Sequence, residues 1–195
     1  MSGGEASADD RKTSAPAFLV HAAGVAAAWL VLFWLNDVLF AAVEVDAFTS
    51  WVFLPAAIRV LAVMLFGWAG IAGLFLGSCI TIGPEVQSNW AHAGAISLVS
   101  ALAPLIAVRT CQGWLKLPDT LAGLNPRNLL LFALAGAATS VALHQFVFLL
   151  FDTRDDVLEG VVPMFVGDLI GTALVLFAAS CAVRLVDQFT TRGSR

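Results

Sequence analysis

Residues 53–68 read FLPAAIRVLAVMLFGW, an apolar run with a single charged residue, Arg59, near its middle. A guanidinium is costly among apolar side chains unless a counter-charge or hydrogen-bonding partners accompany it. A second short apolar run, 69–82, follows the Gly67–Gly70 stretch. Together the runs predict either a tight hairpin of thin membrane spans or one broken, re-entrant element, which is tolerated only where protein buries it.

Composition places this stretch in a membrane protein. The chain has 195 residues, of which 59% are hydrophobic and only 12% charged, whereas soluble domains carry roughly 25% charged residues. The apolar residues form blocks, and a block of about 20 residues can cross a bilayer as a helix. The sequence therefore predicts an all-α integral membrane protein, a helical bundle of six spans. The predicted spans are about 17–43, 51–66, 69–82, 91–109, 128–150 and 162–186.

Polar segments flank these blocks. Residues 1–16 are small, polar and mixed in charge, which predicts a disordered tail. The membrane domain is predicted over 17–186, followed by a second tail over 187–195. Because a polar segment precedes a long first block, we expect no cleaved signal peptide. We also expect no appended soluble output domain, so any output would come from a separate protein.

Basic residues predict the orientation, because they concentrate on the cytoplasmic side of membrane proteins. If six spans alternate, one side receives Arg11, Lys12, Arg109, Lys116, Arg127, Arg184, Arg192 and Arg195. The opposite side receives mostly acidic residues, namely Glu44, Asp46, Glu85, Asp152, Asp155, Asp156 and Glu159, with Arg154 as its basic residue. The asymmetry predicts a multi-pass membrane protein with both termini cytoplasmic.

Four polar residues are predicted to share one layer of the outer leaflet. From the helix rise, Arg59 lies roughly 12 Å below the outer face, and Asp168, His144 and Gln145 lie roughly 8–10 Å below it. Ionisable residues at such depth are costly and are candidates for function. We expect an ion pair between Arg59 and Asp168, since each offsets part of the other's desolvation cost and the planar fork of arginine can hold a carboxylate.

This ion pair has more than one interpretation. It could simply fix two helices in register. Alternatively, Arg59, Asp168, His144 and Gln145 line an outward-facing cavity that binds a small ligand, or Arg59 grips an anionic ligand while Asp168 orients it. Small residues four apart predict close helix packing elsewhere. These pairs are Gly73 with Gly77, Gly136 with Ser140, and Gly167 with Gly171.

Other chemistries are disfavoured. The cysteines, Cys79, Cys111 and Cys181, are widely spaced and form no metal or disulfide motif. Paired histidines can ligate haem, but the predicted topology puts His21 and His144 on opposite sides of the bilayer. No hydrolase, protease or phosphate-loop motif is present, and no basic tract indicates nucleic acid. We therefore predict a protein that is not an enzyme and needs no metal or cofactor.

Two stretches carry a resemblance to a known family. FLPAAIRVLAVMLFGWAGIAGLFLGS (53–78) and VGDLIGTALVL (166–176) resemble the first class of bacterial membrane-associated sensor domains, in which Asp168 and Gly171 match an acidic residue followed by a glycine. Those domains are usually fused to histidine kinases or diguanylate cyclases and typically have more spans. The resemblance implies a sensory module of the bacterial inner (plasma) membrane, which here would signal through a separate protein.

The six-span layout is also similar to the substrate-binding subunits of energy-coupling-factor transporters. The predicted function is therefore a small-ligand-binding or sensory membrane module, with two alternatives: a transport subunit that works with a partner ATPase, or a structural subunit of a membrane complex. The expected partners are the lipid bilayer, a small molecule, and a membrane protein, signalling protein or ATPase. A candidate face for a coupling partner is the small-residue patch Ala22, Ala23, Gly24, Ala26, Ala27 and Ala28.

Overall fold

The computed structural model describes residues 14–46, 49–83, 89–114, 116, 126–151 and 160–192. Residues 1–13 of the predicted N-terminal tail and 193–195 of the C-terminal one lie outside this part of the chain, as do the acidic residues Glu85, Asp152, Asp155, Asp156 and Glu159. The described chain is almost entirely helical. Its helices are α1 (Ala15–Phe40), α2 (Ala56–Phe66), α3 (Trp68–Thr81), α4 (Trp90–Trp114), α5 (Pro126–Leu150) and α6 (Val161–Arg192).

Helix length separates these six elements into two groups. Within the described residues, four helices are long and apolar enough to cross a membrane, in the stretches Ala15–Val43, Trp90–Trp114, Arg127–Leu150 and Val161–Ala178. Helices α2 and α3 have 11 and 14 residues, which is about 17 and 21 Å against a hydrocarbon core of about 30 Å. All six helices coincide with the six predicted apolar blocks.

Helix bounds differ from the predicted blocks at both ends of the chain. Helix α1 begins at Ala15, two residues early, because Pro16 is compatible with the first helical turn. Helix α6 continues to Arg192 instead of stopping near 186. No proline or glycine interrupts residues 172–192, so nothing in the sequence ends the helix before Gly193.

Helices α2 and α3 form an antiparallel hairpin. Helix α2 starts beside the C-terminal part of α1, where the Leu54 amide donates to Asn36 Oδ1 at 2.9 Å. It ends near the start of α1, where Phe66 packs on the His21 ring with centroids 4.9 Å apart. The chain then reverses at Gly67, whose φ of +52° suits glycine. The stretch 56–81 thus contains two separate antiparallel helices.

Helix α3 runs parallel to α1 and contacts it closely. A Cβ atom on Gly73 would lie 2.6 Å from Val25 Cβ, and one on Gly77 would lie 2.7 Å from Trp29 Cγ. Both distances are shorter than real Cβ contacts, so only glycine permits this approach. The close packing predicted for Gly73 and Gly77 is confirmed. The interface belongs to a core that includes Val25, Trp29, Ala62, Leu74, Val108, Cys111 and Phe132.

The remaining helices also alternate in direction along the chain. Helix α4 is antiparallel to α5, since Ser100 meets His144 while the earlier His92 stacks on the later Phe151. Helix α6 starts at the Asn36 end of the bundle, where Gly167 accepts a hydrogen bond from the Phe53 amide at 3.0 Å. Six alternating helices therefore bring the first and last described residues to the same end, the His21 end.

A short extended segment crosses the Asn36 end before α2. Strands β1 (Glu44–Asp46) and β2 (Thr49–Ser50) form a small antiparallel hairpin, and the chain then passes over α6. A Cβ on Gly167 would collide with the Ser50 carbonyl, and one on Gly171 would collide with that of Phe53. The glycine pair thus packs against extended backbone, whereas the sequence suggested a helix partner.

The contact at Gly171 yields a stability prediction. Gly171→Ala should destabilise the protein by about 1–3 kcal/mol, because the added methyl group overpacks the Phe53 backbone. Where the added methyl group meets no neighbour, a Gly→Ala substitution in a helix normally stabilises the protein. The matched control is Gly24→Ala in α1, where nothing lies within 4 Å of the added Cβ. Thermal unfolding in detergent micelles should separate the two variants, and equal melting temperatures would contradict the assigned contact.

Candidate functional site

Arg59 forms the predicted ion pair with Asp168. Arg59 lies in the first turns of α2 and Asp168 in the second turn of α6, and Nη1 of the arginine donates to Oδ2 of the carboxylate at 3.0 Å. Only 6% of Arg59 and 4% of Asp168 is exposed. Both charges are therefore removed from solvent and depend on each other for compensation.

Ser140 joins this pair from a third helix. Nη1 of Arg59 also donates to Ser140 Oγ at 2.7 Å, so the same nitrogen contacts Ser140 and Asp168. One small cluster therefore links α2, α5 and α6. The sequence marked Ser140 only as a small packing residue. Its position four residues before His144, and so on the same helix face, was the available signal.

Two aromatic rings flank the guanidinium. Its central carbon lies 5.5 Å from the Trp29 ring centroid and 5.0 Å from that of Phe53. Cation–π attraction at such distances stabilises a desolvated guanidinium. Trp29 is itself fixed by a 3.1 Å hydrogen bond from Nε1 to Thr81 Oγ1. The aromatic residues thus hold Arg59 in place, and nothing in the sequence pattern had indicated this.

His144 lies one turn from Ser140 and is held by two hydrogen bonds. Nδ1 lies 2.8 Å from the Ser140 carbonyl oxygen. A carbonyl can only accept, so Nδ1 carries the proton. In the neutral ring, Nε2 then accepts from the Ser100 hydroxyl at 3.2 Å. In α4 the Ser100 carbonyl would normally accept a hydrogen bond from the amide of residue 104. That residue is Pro104, which has no amide hydrogen, so this helical hydrogen bond is missing.

A cavity of about 130 Å³ opens at the Asn36 end and reaches the ion pair. This space holds several water molecules or part of a small organic molecule. All six helices and the β-hairpin contribute to its wall. The polar lining comprises Asn36, Asp37, Glu44, Thr49, Ser50, Arg59, Ser78, Thr81, Ser100, His144 and Asp168, and the aromatic lining comprises Trp29, Phe33 and Phe53.

Two acidic side chains lie near the opening of this cavity, whereas the ion pair lies at its inner end. Asp37 and Glu44 are both exposed and line the wall near the β-hairpin. Partial burial, and then the negative charge of Asp37, raise the pKa of Glu44. Together these acids give the entrance a negative potential that disfavours free anions.

A second, smaller cavity of about 30 Å³ lies on the other side of the ion pair. Arg59 and Asp168 border both spaces, and Ser140 borders the smaller one. Its remaining lining is mostly apolar and extends along α5 to Leu129, towards the His21 end. The ion pair therefore forms a partition between a polar cavity and an apolar one.

The other polar residues of interest are placed apart from this cluster. Gln145 is buried, but it lines neither cavity, and its amide atoms have no hydrogen-bond partner among the described residues. His21 lies at the opposite end, against Phe66, and His92 stacks on Phe151. The structure thus brings together Arg59, Asp168 and His144 of the four predicted site residues.

The ion pair yields a prediction about coupling. Arg59→Leu or Asp168→Leu alone should cost about 3–5 kcal/mol, because each strands the other charge, whereas the double variant should cost far less than the sum. Denaturant unfolding of the four proteins in micelles measures this. Arg109→Leu, at an exposed position in α4, provides the control and should change stability little. Additive effects of the two substitutions would contradict the pairing.

Comparison with known proteins adds no further identification. No family model, no curated protein and no solved structure matches this chain. The resemblance to membrane-associated sensor domains therefore stays a prediction.

Proposed function

We propose that this chain is a six-span protein of the bacterial inner membrane that binds a small molecule and serves as a ligand-binding or sensory module. The ligand site is the cavity at the Asn36 end, which faces away from the cytoplasm. In this proposal helices α2 and α3 are two thin spans and both termini are cytoplasmic. Signalling would pass to a separate partner protein.

One observation carries the ligand-binding proposal. Arg59 is almost fully buried, yet its Nε has no hydrogen-bond partner among the described residues, and the residue borders the polar cavity. Native proteins rarely leave a buried donor unsatisfied without a reason. A pair that served only to fix helix register would be expected to satisfy its donors. A cavity that ends at an incompletely bonded guanidinium favours a ligand site.

The charge distribution supports the orientation. Exposed Arg109 and Arg127 lie near the His21 end, at the C-terminal part of α4 and the start of α5. Exposed Asp37 and Glu44 lie at the Asn36 end. Basic residues concentrate on the cytoplasmic side of membrane proteins, which favours a cytoplasmic His21 end.

The second cavity favours transport as a second candidate function. A transport subunit with a partner ATPase needs space on both sides of the ion pair, and Arg59 and Asp168 border two cavities. The smaller one has about the volume of one water molecule, so it would have to widen for a ligand to pass. On the proposed coupling face, Ala22 and Ala26 are buried, whereas Ala23, Gly24 and Ala27 are exposed. Those three residues remain accessible to a partner.

Ligand retention tests the proposal directly. Native mass spectrometry of the purified protein should detect a small-molecule adduct. Ser78→Leu should remove it, because Ser78 lines the polar cavity and the larger side chain fills it. Cys79→Leu is the matched control: the neighbouring residue on α3 is exposed and lines neither cavity, so its adduct should persist.

Two outcomes would contradict ligand binding in this cavity. One is an adduct that Ser78→Leu retains in a folded protein. The other is full retention by the Arg59→Leu/Asp168→Leu double variant, which would favour the structural-subunit alternative because the pair would then serve only packing.

Cysteine labelling tests the six-span topology. In a background with Cys79, Cys111 and Cys181 replaced by alanine, Val45→Cys should react with a membrane-impermeant maleimide in intact cells. Trp68→Cys, at the exposed α2–α3 turn, should react only when the cytoplasmic face is opened, as should Lys116→Cys. Labelling of Trp68→Cys from the outside, or from neither side, would indicate a re-entrant hairpin.

A further inference from the structure

We propose that the ligand of the polar cavity is a small zwitterion of the amino-acid type, with a carboxylate and an ammonium group on neighbouring atoms. The carboxylate binds the unused edge of Arg59, and the ammonium group binds Asp168. This assignment rests on the proposed ligand-binding function and names the chemical class of its ligand.

The Arg59 guanidinium has spare donors. Both of its hydrogen bonds, to Ser140 and to Asp168, leave from Nη1. Nε is buried without a hydrogen-bond partner in the described part of the chain. Of the five N–H donors of a guanidinium, those on Nε and Nη2 form a planar edge that matches the two oxygens of a carboxylate. The two hydrogen bonds therefore do not use the edge best suited to a carboxylate. Because Nε is covered, a ligand carboxylate reaches it once the neighbouring side chains move apart.

Asp168 retains acceptor capacity beside the polar cavity. Its ion pair with Arg59 uses Oδ2, and a carboxylate has about four acceptor positions over its two oxygens. Asp168 also borders the polar cavity. An ammonium group carries three donors, so it can bind Asp168 without displacing the bond from Arg59.

Charge balance selects a zwitterion over an ion of one sign. Arg59 and Asp168 together are neutral, and both side chains are almost fully buried. An anion alone would leave net negative charge beside Asp168, and a cation alone would leave net positive charge beside Arg59; both are costly in a medium of low dielectric constant. A zwitterion adds one charge to each partner and keeps the sum at zero.

Aromatic walls accommodate the rest of the ligand. Trp29, Phe33 and Phe53 line the cavity, and such rings bury apolar groups effectively. Hydroxyl groups of Ser78 and Ser100 lie among the other lining residues. The acidic entrance formed by Asp37 and Glu44 disfavours free anions, while a neutral zwitterion can enter.

A matched ligand series tests this assignment on the wild-type protein. Thermal unfolding in micelles is measured with L-phenylalanine, 3-phenylpropanoate, 2-phenylethylamine and 2-phenylethanol. A second series with a smaller side chain uses L-alanine, propanoate, ethylamine and ethanol. In at least one series the zwitterion should raise the melting temperature by roughly 3–6 °C at ten times its dissociation constant. The other three molecules should give less than half that shift at equal concentration.

A conservative variant assigns the effect to the planar edge. Arg59→Lys keeps a positive charge beside Asp168 but removes that edge, so the shift should disappear. Arg109→Lys, at an exposed position near the other end of the bundle, should retain it. If Arg59→Lys fails to fold, the wild-type series still decides the question.

Each contrary result is distinguishable. An equal shift with the carboxylate, the amine or the alcohol overturns the zwitterion assignment, as does a zwitterion shift that Arg59→Lys preserves. A native adduct removed by Ser78→Leu, without any zwitterion shift, overturns this assignment and leaves ligand binding in place. Absence of both the adduct and the shift overturns both proposals.

Discussion

Burial of the Arg59 guanidinium constrains much of this molecule. A positive charge among apolar helices is tolerated only with a counter-charge, hydrogen bonds and polarizable neighbours. Asp168, Ser140, Trp29 and Phe53 supply these from different parts of the chain. Helices α1, α2, α5 and α6 must therefore converge at one depth, and displacement of any of them would weaken compensation of the charge.

Backbone packing provides the second constraint, since it sets where α2 begins. The segment before α2 lies over Gly167 and Gly171 of α6, and Asn36 accepts the Leu54 amide from the α1 side. Because Arg59 follows Leu54 by little more than one turn, fixing this segment also fixes the height of the guanidinium. The glycine pair on α6 thus positions the Arg59 guanidinium. Asp168 lies between the two glycines in the sequence and neutralises that charge.

Much of this arrangement could be predicted from local pattern. Six apolar blocks became six helices, and helix rise alone gave Arg59 and Asp168 a common depth. Ser140, Trp29 and Phe53 were missed as partners because depth along an axis says nothing about rotation around it, which only packing determines. Gln145 was included for the same reason: it shares a depth with His144, but consecutive helical residues point about 100° apart.

Because the ion pair lies between the two cavities, a ligand bound to it could change the conformation of the protein. A ligand shifts a conformational equilibrium only if it contacts the two states differently. Arg59 and Asp168 border both cavities and belong to different helices, so their separation would move α2 relative to α6. A ligand that hydrogen-bonds both side chains would lower the cost of that separation, because neither charge would be left without a partner. Sensing and transport would then share the same first step, and would differ in whether the ligand continues into the smaller cavity.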